Sequence, residues 1–145
     1  MTGLVRRFVD EVLNGHRDAV VSEIFAPTFR DHDPIFQAVD AQSRLLVGGV
    51  QEMREMLKFL SRPGVDLVFH LEDCFGHEDR AAYRLFGEGT LPTGALRATD
   101  ANASLLGGDV EGVPSVHATY ASCGIFRASG AFLCERWGNV VVEWS

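Results

Sequence analysis

The chain has 145 residues, of which 46% are hydrophobic and 23% charged, and its net charge is −7. This size and composition are those of one ordinary globular domain, so we expect residues 1–145 to form a single domain. A negative chain repels phosphate backbones and anionic lipids, which argues against nucleic acid and membrane surfaces as partners. No apolar run approaches the ~20 residues of a membrane span.

The three cysteines, Cys74, Cys123 and Cys134, are odd in number and show no C-x-x-C spacing. This pattern argues against a disulfide framework and a zinc site, and we expect buried free thiols in a reducing cytoplasm. The opening "MTGLVRRFVDEVLNG" carries charges inside its apolar pattern. It therefore predicts a helix and not a signal peptide.

Apolar residues at helical spacing predict three helices in the first half of the chain. The first runs from Leu4 to Leu13, with Gly15 as its C′ glycine. Residues 18–25 predict a second, short helix that Pro27 prevents from continuing. The third runs from Val50 to Leu60 and stops before Pro63-Gly64. We expect its solvent-exposed face to carry Gln51, Glu52, Arg54, Glu55 and Lys58.

The stretch "TFRDHDPIF", residues 28–36, lies between the second and third helices. Its two aspartates bracket a histidine among large apolar residues. We expect a short strand that enters a loop at Pro34, with Asp31 capping the turn. This segment is the first candidate for a site.

From residue 65 the apolar pattern changes to a period of two, which predicts strands. Residues 65–75 and 80–89 predict one hairpin, with "GHED" as its turn, and residues 116–127 and 131–144 predict a second with "ASG" as its turn. The segment from Thr90 to Gly112 has no clear period and predicts a long loop. Helices come first and antiparallel strands after, so the class is α+β with helices on one face of a sheet.

The order of these segments resembles the SnoaL-like polyketide cyclases of the nuclear-transport-factor-2-like (NTF2-like) superfamily. The resemblance rests on "VRRFVDEVLNG", "DAVVSEIFAPTF", the turn "DHDP", "GGVQEMREML", "GHEDRAAYRLFGEGT" and "IFRASGAFLCERW". It covers nearly the whole chain. The family's glycine-proline segment corresponds to Gly112 to Ser115 and is displaced by extra residues after Thr90.

This resemblance implies a cone of curved antiparallel sheet, with about three N-terminal helices enclosing a deep apolar cavity. It also implies a homodimer, a small apolar organic substrate and no cofactor. Because the superfamily also includes epoxide hydrolases, isomerases, dehydratases and non-catalytic binding modules, the fold alone does not determine function.

Glu135 is the first candidate for a catalytic residue. It lies in the apolar strand "FLCERW" and shares its face with Trp137. A carboxylate that loses solvation there has a raised pKa, in the range where it can both take and give a proton. The alternative is a strand glutamate paired with an arginine such as Arg136 or Arg84.

His32 and Asp33 are the next candidates. An aspartate beside a histidine can hold the imidazole tautomer and direct its other nitrogen at a substrate. The alternative is an Asx-type turn before Pro34, with His32 half-buried. A metal site that combines these two residues with a strand histidine has no supporting spacing.

Further residues are candidates for lining a substrate pocket. His117 and Tyr120 have opposite parity on one strand, so at most one of them faces a cavity. Phe36 and Trp137 suit an aromatic lining, and Arg84 is a candidate donor. Each has the alternative of an ordinary structural role.

These residues favour a cofactor-independent cyclase or isomerase that acts on a bulky apolar carbonyl compound, such as a polyketide. Glu135, helped by His32, would remove a proton next to the carbonyl. Two alternatives stay open: epoxide opening, although the expected Arg-x-Asp set is broken because Phe86 follows two places after Arg84, and a non-catalytic binding module.

Overall fold

The computed structural model describes residues 1–33, 49–92 and 115–144. Helix α1 (Thr2–Arg7) continues as a π-helical segment (Phe8–Asn14) and is followed by α2 (Asp18–Ile24), β1 (Phe25–Asp31) and α3 (Val50–Leu60). Four long strands follow: β2 (Asp66–His77), β3 (Arg80–Pro92), β4 (Ser115–Ser129) and β5 (Phe132–Trp144). The predicted order of helices followed by strands is confirmed.

The five strands form one sheet in the order β1-β5-β4-β3-β2. Strand β1 runs parallel to β5, and all other neighbours are antiparallel. Among the strands that the structure describes, β1 and β2 are the two edges, and the sheet does not close. Both predicted hairpins are present, and their turns contain residues in the left-handed region, Glu78 at φ 52° and Gly130 at φ 59°.

The core lies between the helices and one face of the sheet, which we call the inner face. Phe8 of the π-helical segment packs edge-on against Phe25 of β1 and Phe126 of β4, with ring centroids 5.5 and 5.7 Å apart. Edge-to-face packing is a favourable geometry for aromatic rings. These contacts join the first helix to the edge strand β1 and to the central strand β4.

The end of the first helix differs from its prediction. Gly15 has an ordinary right-handed φ of −84°, and the left-handed residue is His16, at φ 52°. A Cβ at Gly15 would lie 2.7 Å from the carbonyl oxygen of Glu11. Glycine is therefore required there by the close approach of the wider π-helical turn, and not by the C′ conformation.

Strand β1 begins earlier than predicted. The chain passes from α2 into extended backbone at Phe25, so Pro27 lies inside the strand. Proline lacks a backbone N–H, and it is tolerated in β1 because this is an edge strand. Strand β3 is also longer than predicted and includes Thr90 to Pro92.

Two further expectations are corrected. Glu52 was predicted on the solvent-exposed face of α3, but only 3% of its surface is exposed. The cysteines are free, but they are not buried: Cys123 is exposed, and Cys74 and Cys134 are partly exposed. Within residues 1–33, 49–92 and 115–144, no helix is long and apolar enough to cross a membrane.

Candidate active site

A cavity of about 90 Å³ lies between α3, the π-helical segment and the inner face of the sheet. Its lining is mostly apolar, with a few polar groups that converge from the sheet. Such a combination is typical of small-molecule sites. The apolar lining residues are Phe8, Leu13, Met53, Met56, Phe59, Leu60, Leu67, Phe69, Leu85, Leu91 and Ala118, and the polar ones are Asp31, Glu52, Tyr83, Tyr120 and Arg136.

The cavity contains a buried ion pair between Asp31 and Arg136. These residues are direct partners on the parallel strands β1 and β5. Arg136 Nη1 donates to both carboxylate oxygens of Asp31, at 2.9 Å each. Only 1% of Asp31 and 3% of Arg136 is exposed, so both charges are removed from water and depend on each other.

The remaining hydrogen bonds of the Arg136 guanidinium go to β3, β4 and the segment that follows β1. Its Nε donates to the Tyr83 hydroxyl at 2.7 Å, and its Nη2 to the Ser122 hydroxyl at 3.3 Å. Nη1 also donates to the backbone carbonyl oxygen of Asp33 at 3.1 Å. The planar fork is thereby held in one orientation by three elements of the sheet.

Burial raises the pKa of Asp31, and the positive charge of Arg136 and the N–H of Asp33 oppose this shift. Burial by itself lowers the pKa of Arg136, but its neighbours Tyr83 and Asp31 outweigh this effect and raise it. The guanidinium therefore stays charged, while the Asp31 carboxyl is moved towards the range in which it can exchange a proton.

Two other polar side chains complete the cavity wall. Burial raises the pKa of Tyr120, so its phenol keeps its proton and can donate a hydrogen bond. Glu52 extends from α3 and is the polar residue of the helical wall, among Met53 and Met56. A carboxyl group on this apolar helix face is unusual, since acidic residues are rarely fully buried.

Glu135 lies outside this cavity, and the expectation of a raised pKa is wrong. Its side chain points to the outer face of the sheet, where Arg127 donates a short hydrogen bond to Oε1. This bond lowers the pKa of Glu135, and burial opposes the shift only partly. Glu135 and Trp137 do share a face, as predicted, but Arg136 between them is the residue that points inward.

His32 also lies outside the cavity, next to Glu135 and Trp137. Its ring stacks on Trp137 with centroids 4.7 Å apart, and its Nε2 is 3.6 Å from Glu135 Oε2. Asp33 is exposed, and its Oδ2 accepts the backbone N–H of Gly138 at 2.9 Å. The three predicted catalytic residues are thus near one another, but on the side away from the apolar cavity.

The predicted lining residues are divided between the two faces. Tyr120 lines the cavity, whereas His117 is exposed on the opposite face of β4. Arg84 is exposed and forms ion pairs with Asp73 and Glu72. Phe36 lies outside the described residues, as does most of the segment from Gly112 to Ser115.

Sequence reasoning missed the central ion pair although one signal for it was available. Asp31 has the same strand parity as Phe29, a residue that the apolar pattern places in the core. The sequence therefore places Asp31 on the inner face, but the pattern alone does not identify Arg136 as its partner, since 105 residues separate them. Asp31 does also cap the turn, because it accepts the Asp33 N–H at 3.1 Å.

The fold and site together define the NTF2-like class: three helices on a curved, open, mostly antiparallel sheet. The model of the SnoaL-like domain matches residues 5–110, well over half of the chain. The protein belongs to the SnoaL-like family. A comparison with curated protein sequences gives no match.

Solved structures support the same fold. IdmH from Streptomyces antibioticus, described as a candidate polyketide cyclase, has a TM-score of 0.66 and 16% identity, over 96% of this chain and 90% of that one. TsrD from Streptomyces laurentii has a TM-score of 0.65 and 18% identity, over 96% and 86%. A candidate polyketide cyclase from Acidithiobacillus ferrooxidans has a TM-score of 0.60 and 17% identity, over 95% and 85%.

Proposed function

We propose that the protein is a cofactor-independent cyclase or isomerase that acts by general acid–base chemistry on an apolar carbonyl compound of the polyketide kind. The observation that carries this proposal is the Asp31–Arg136 pair, buried in a cavity whose other walls are mainly apolar. Membership of the SnoaL-like family and the names of the similar structures agree with it.

In this mechanism Asp31 takes the place that the sequence suggested for Glu135. Its carboxylate removes a proton from the carbon next to the substrate carbonyl. The charge that develops on the carbonyl oxygen is stabilised by donors already in position, the Arg136 guanidinium and the Tyr120 phenol. The same carboxyl group then returns the proton, at the original carbon or at another one.

The apolar walls contribute in two ways. They exclude water, which strengthens the interaction between the guanidinium and the developing negative charge. They also hold a flexible substrate in one conformation, which lowers the entropic part of the barrier. Met53, Met56 and Phe59 supply this part of the wall from α3.

The proposal is tested by proton exchange, because the natural substrate is not needed. 2-Indanone is a small apolar ketone with acidic α-protons, and their replacement by deuterium in D₂O is followed by proton NMR. We expect the protein to accelerate this exchange and Asp31→Asn to lower the acceleration by about 100-fold or more. Asp73→Asn, which removes an exposed carboxylate paired with Arg84, is the matched control.

Two results would contradict the proposal. One is a wild-type protein that binds 2-indanone but leaves its exchange rate unchanged, which favours a non-catalytic binding module. The other is an Asp31→Asn variant that is folded, by its circular dichroism spectrum, and fully active. In that case the carboxylate of Asp31 would be a structural partner of Arg136 alone.

A second candidate is epoxide opening by water, which the same pair favours. An aspartate oriented by an arginine, with Tyr83 and Ser122 close to the guanidinium, can hold and deprotonate a water molecule. Incubation with styrene oxide in ¹⁸O-labelled water distinguishes this reaction, because the diol product gains one labelled oxygen. Absence of labelled diol, with ketone exchange present, excludes the second candidate.

The active form is a homodimer in this proposal. The outer face of the sheet carries exposed apolar side chains, among them Phe75, Ile125 and Val141. Exposed apolar groups of this kind favour association with a second copy. Sedimentation velocity should show a dimer that Ile125→Glu converts to a monomer, while Lys58→Glu, on the helical side, leaves the dimer intact. A wild-type monomer would contradict this part.

The proposed location is the cytoplasm. The three cysteines are free, and at least one of them, Cys123, is exposed to solvent. Free exposed thiols are typical of a reducing compartment. Labelling the thiols in intact cells with a membrane-permeant and a membrane-impermeant maleimide tests this: labelling by the impermeant reagent would contradict it.

A further inference from the structure

We propose that Gly87 determines which substrates fit the cavity, because it lets the ring of Phe69 lie across β3, where it lines the cavity. The inference rests on the proposed function only in taking this cavity as the substrate site. Gly87 itself does not line the cavity and has no functional group, so it acts through Phe69 as a specificity-determining residue.

The first observation is a lateral row of three residues on neighbouring strands. Gly87 of β3 is the direct partner of Phe69 on β2 and of Tyr120 on β4. Strands in a sheet lie about 4.8 Å apart, so β2 and β4 are separated by roughly 9.6 Å. The rings of Phe69 and Tyr120 nevertheless meet, with centroids 5.5 Å apart and planes at 83°.

The second observation explains how the two rings meet. A Cβ at position 87 would lie 2.7 Å from Cδ1 and 2.9 Å from Cε1 of Phe69. The Phe69 ring thus occupies the space that a side chain on β3 would fill. Gly87 has no left-handed φ, so the close approach of the ring, and not the backbone conformation, requires glycine here.

The third observation is that the backbone of Phe69 cannot shift easily to relieve a clash. The Asn14 side chain bonds it twice: its Nδ2 donates to the Phe69 carbonyl oxygen and its Oδ1 accepts the Phe69 N–H, both at 2.8 Å. A methyl group at position 87 would therefore move the ring and not the strand. Because Phe69 lines the cavity, we expect the ring to move into it.

The consequence for substrate choice follows from the position of the ring. Phe69 and Tyr120 both line the cavity, so a displaced Phe69 ring makes the cavity shallower and leaves the edge of Tyr120 without its packing partner. A change of about one methylene group in an apolar site alters discrimination by roughly 10–200-fold. The size of residue 87 therefore sets the largest substrate that the site accepts.

The test compares two ketones of different length, 2-indanone and 2-acetylnaphthalene. Their dissociation constants are measured by ligand-observed NMR, which requires no turnover. We expect Gly87→Ala to weaken binding of 2-acetylnaphthalene at least about tenfold more than binding of 2-indanone. Phe69→Ala should shift the preference in the opposite direction. Gly3→Ala, at a position where a Cβ meets nothing within 4 Å, is the matched control.

The decisive measurement is a double-mutant cycle. In the Phe69→Ala background the ring is absent, so Gly87→Ala should change both dissociation constants by less than about twofold. Equal effects of Gly87→Ala in the two backgrounds, or unchanged size preference in the folded Gly87→Ala variant, would overturn the inference. If Gly87→Ala does not fold, Phe69→Leu replaces it, and unchanged preference in that variant has the same meaning.

These outcomes are separate from those of the proposed function. Loss of ketone exchange in wild type would contradict acid–base catalysis without affecting the binding cycle. Equal effects of Gly87→Ala in the two backgrounds would contradict the role of Gly87 but not that of Asp31.

Discussion

Arg136 on the last strand donates from Nη1 to both carboxylate oxygens of Asp31 on the first strand, at 2.9 Å each. The two residues are partners in the only parallel pairing among the described strands, where β1 meets β5. The ion pair joins the first and the last strand of the chain inside the cavity. The proposed chemistry of the protein depends on it, and so does part of the protein's stability.

Loss of Arg136 should lower the free energy of unfolding substantially. Arg136→Met leaves a carboxyl group buried without its counter-charge, and breaking a buried pair in this way costs about 3–5 kcal/mol of unfolding free energy. Urea unfolding measures the difference. The double variant Asp31→Asn/Arg136→Met should recover a large part of it, since no isolated charge remains.

The control for this measurement is the pair between Arg84 and Asp73 on the outer face. Arg84→Met should change the midpoint of urea unfolding very little, because both side chains are exposed and solvent screens the pair. Equal losses for Arg84→Met and Arg136→Met would show that burial is not the source of the effect.

The contributions of Asp31 and Glu135 to the unfolding free energy should change with pH in opposite directions. The pKa of Asp31 is raised above its ordinary 3.8, so between that value and its native pKa the native state binds more protons than the unfolded state. The Asp31 contribution to the unfolding free energy is therefore full below 3.8 and declines as pH rises through the native pKa. Asp31→Asn should remove this decline.

For Glu135 the pKa is lowered from 4.5, so its contribution is present above 4.5 and is lost as pH falls through the native pKa. Glu135→Gln should make the acid side of the stability profile less steep. Carbon-13 NMR titration of the two carboxyl groups measures the shifts directly. A native pKa of Asp31 below 3.8 would contradict the first expectation, and one of Glu135 above 4.5 the second.

Activity should distinguish the inner from the outer carboxylate. Because Asp31 lines the cavity and Glu135 is paired with Arg127 outside it, Asp31→Asn should lower ketone exchange far more than Glu135→Gln does. Rates for both variants are compared at one pH with a saturating concentration of 2-indanone. The reverse order would restore the original prediction that Glu135 is the base.

Asn14 should stabilise the edge of the sheet. Asn14→Ala removes two side-chain bonds to the backbone of Phe69, and at about 0.5–1.5 kcal/mol per bond this lowers the unfolding free energy by roughly 1–3 kcal/mol. Amide hydrogen exchange at Phe69 should accelerate more than at Phe126, in the centre of the sheet. Unchanged exchange at Phe69 would mean that water replaces the amide without loss of structure.

Much of this fold could be predicted from the sequence because local patterns report local structure. The periods of 3.6 and 2 located three helices and both hairpins, and Pro63-Gly64 marked the end of α3. Where the prediction of local structure was wrong, the tertiary environment was responsible. Gly15 is required by the carbonyl oxygen of Glu11, and Pro27 lies in β1 because that strand is at an edge.

The sequence by itself also determined which residues share a face: Glu135 with Trp137, Phe29 with Asp31, and Tyr120 with Phe126. For Glu135 and Trp137, only the tertiary structure decided that their shared face is the outer one. A period of two shows that successive residues lie on opposite faces of a strand, but it does not show which face is buried. The buried face is determined when β1 pairs with β5 and the helices cover one side of the sheet. That pairing buries Asp31 against Arg136 and leaves Glu135 and His32 outside.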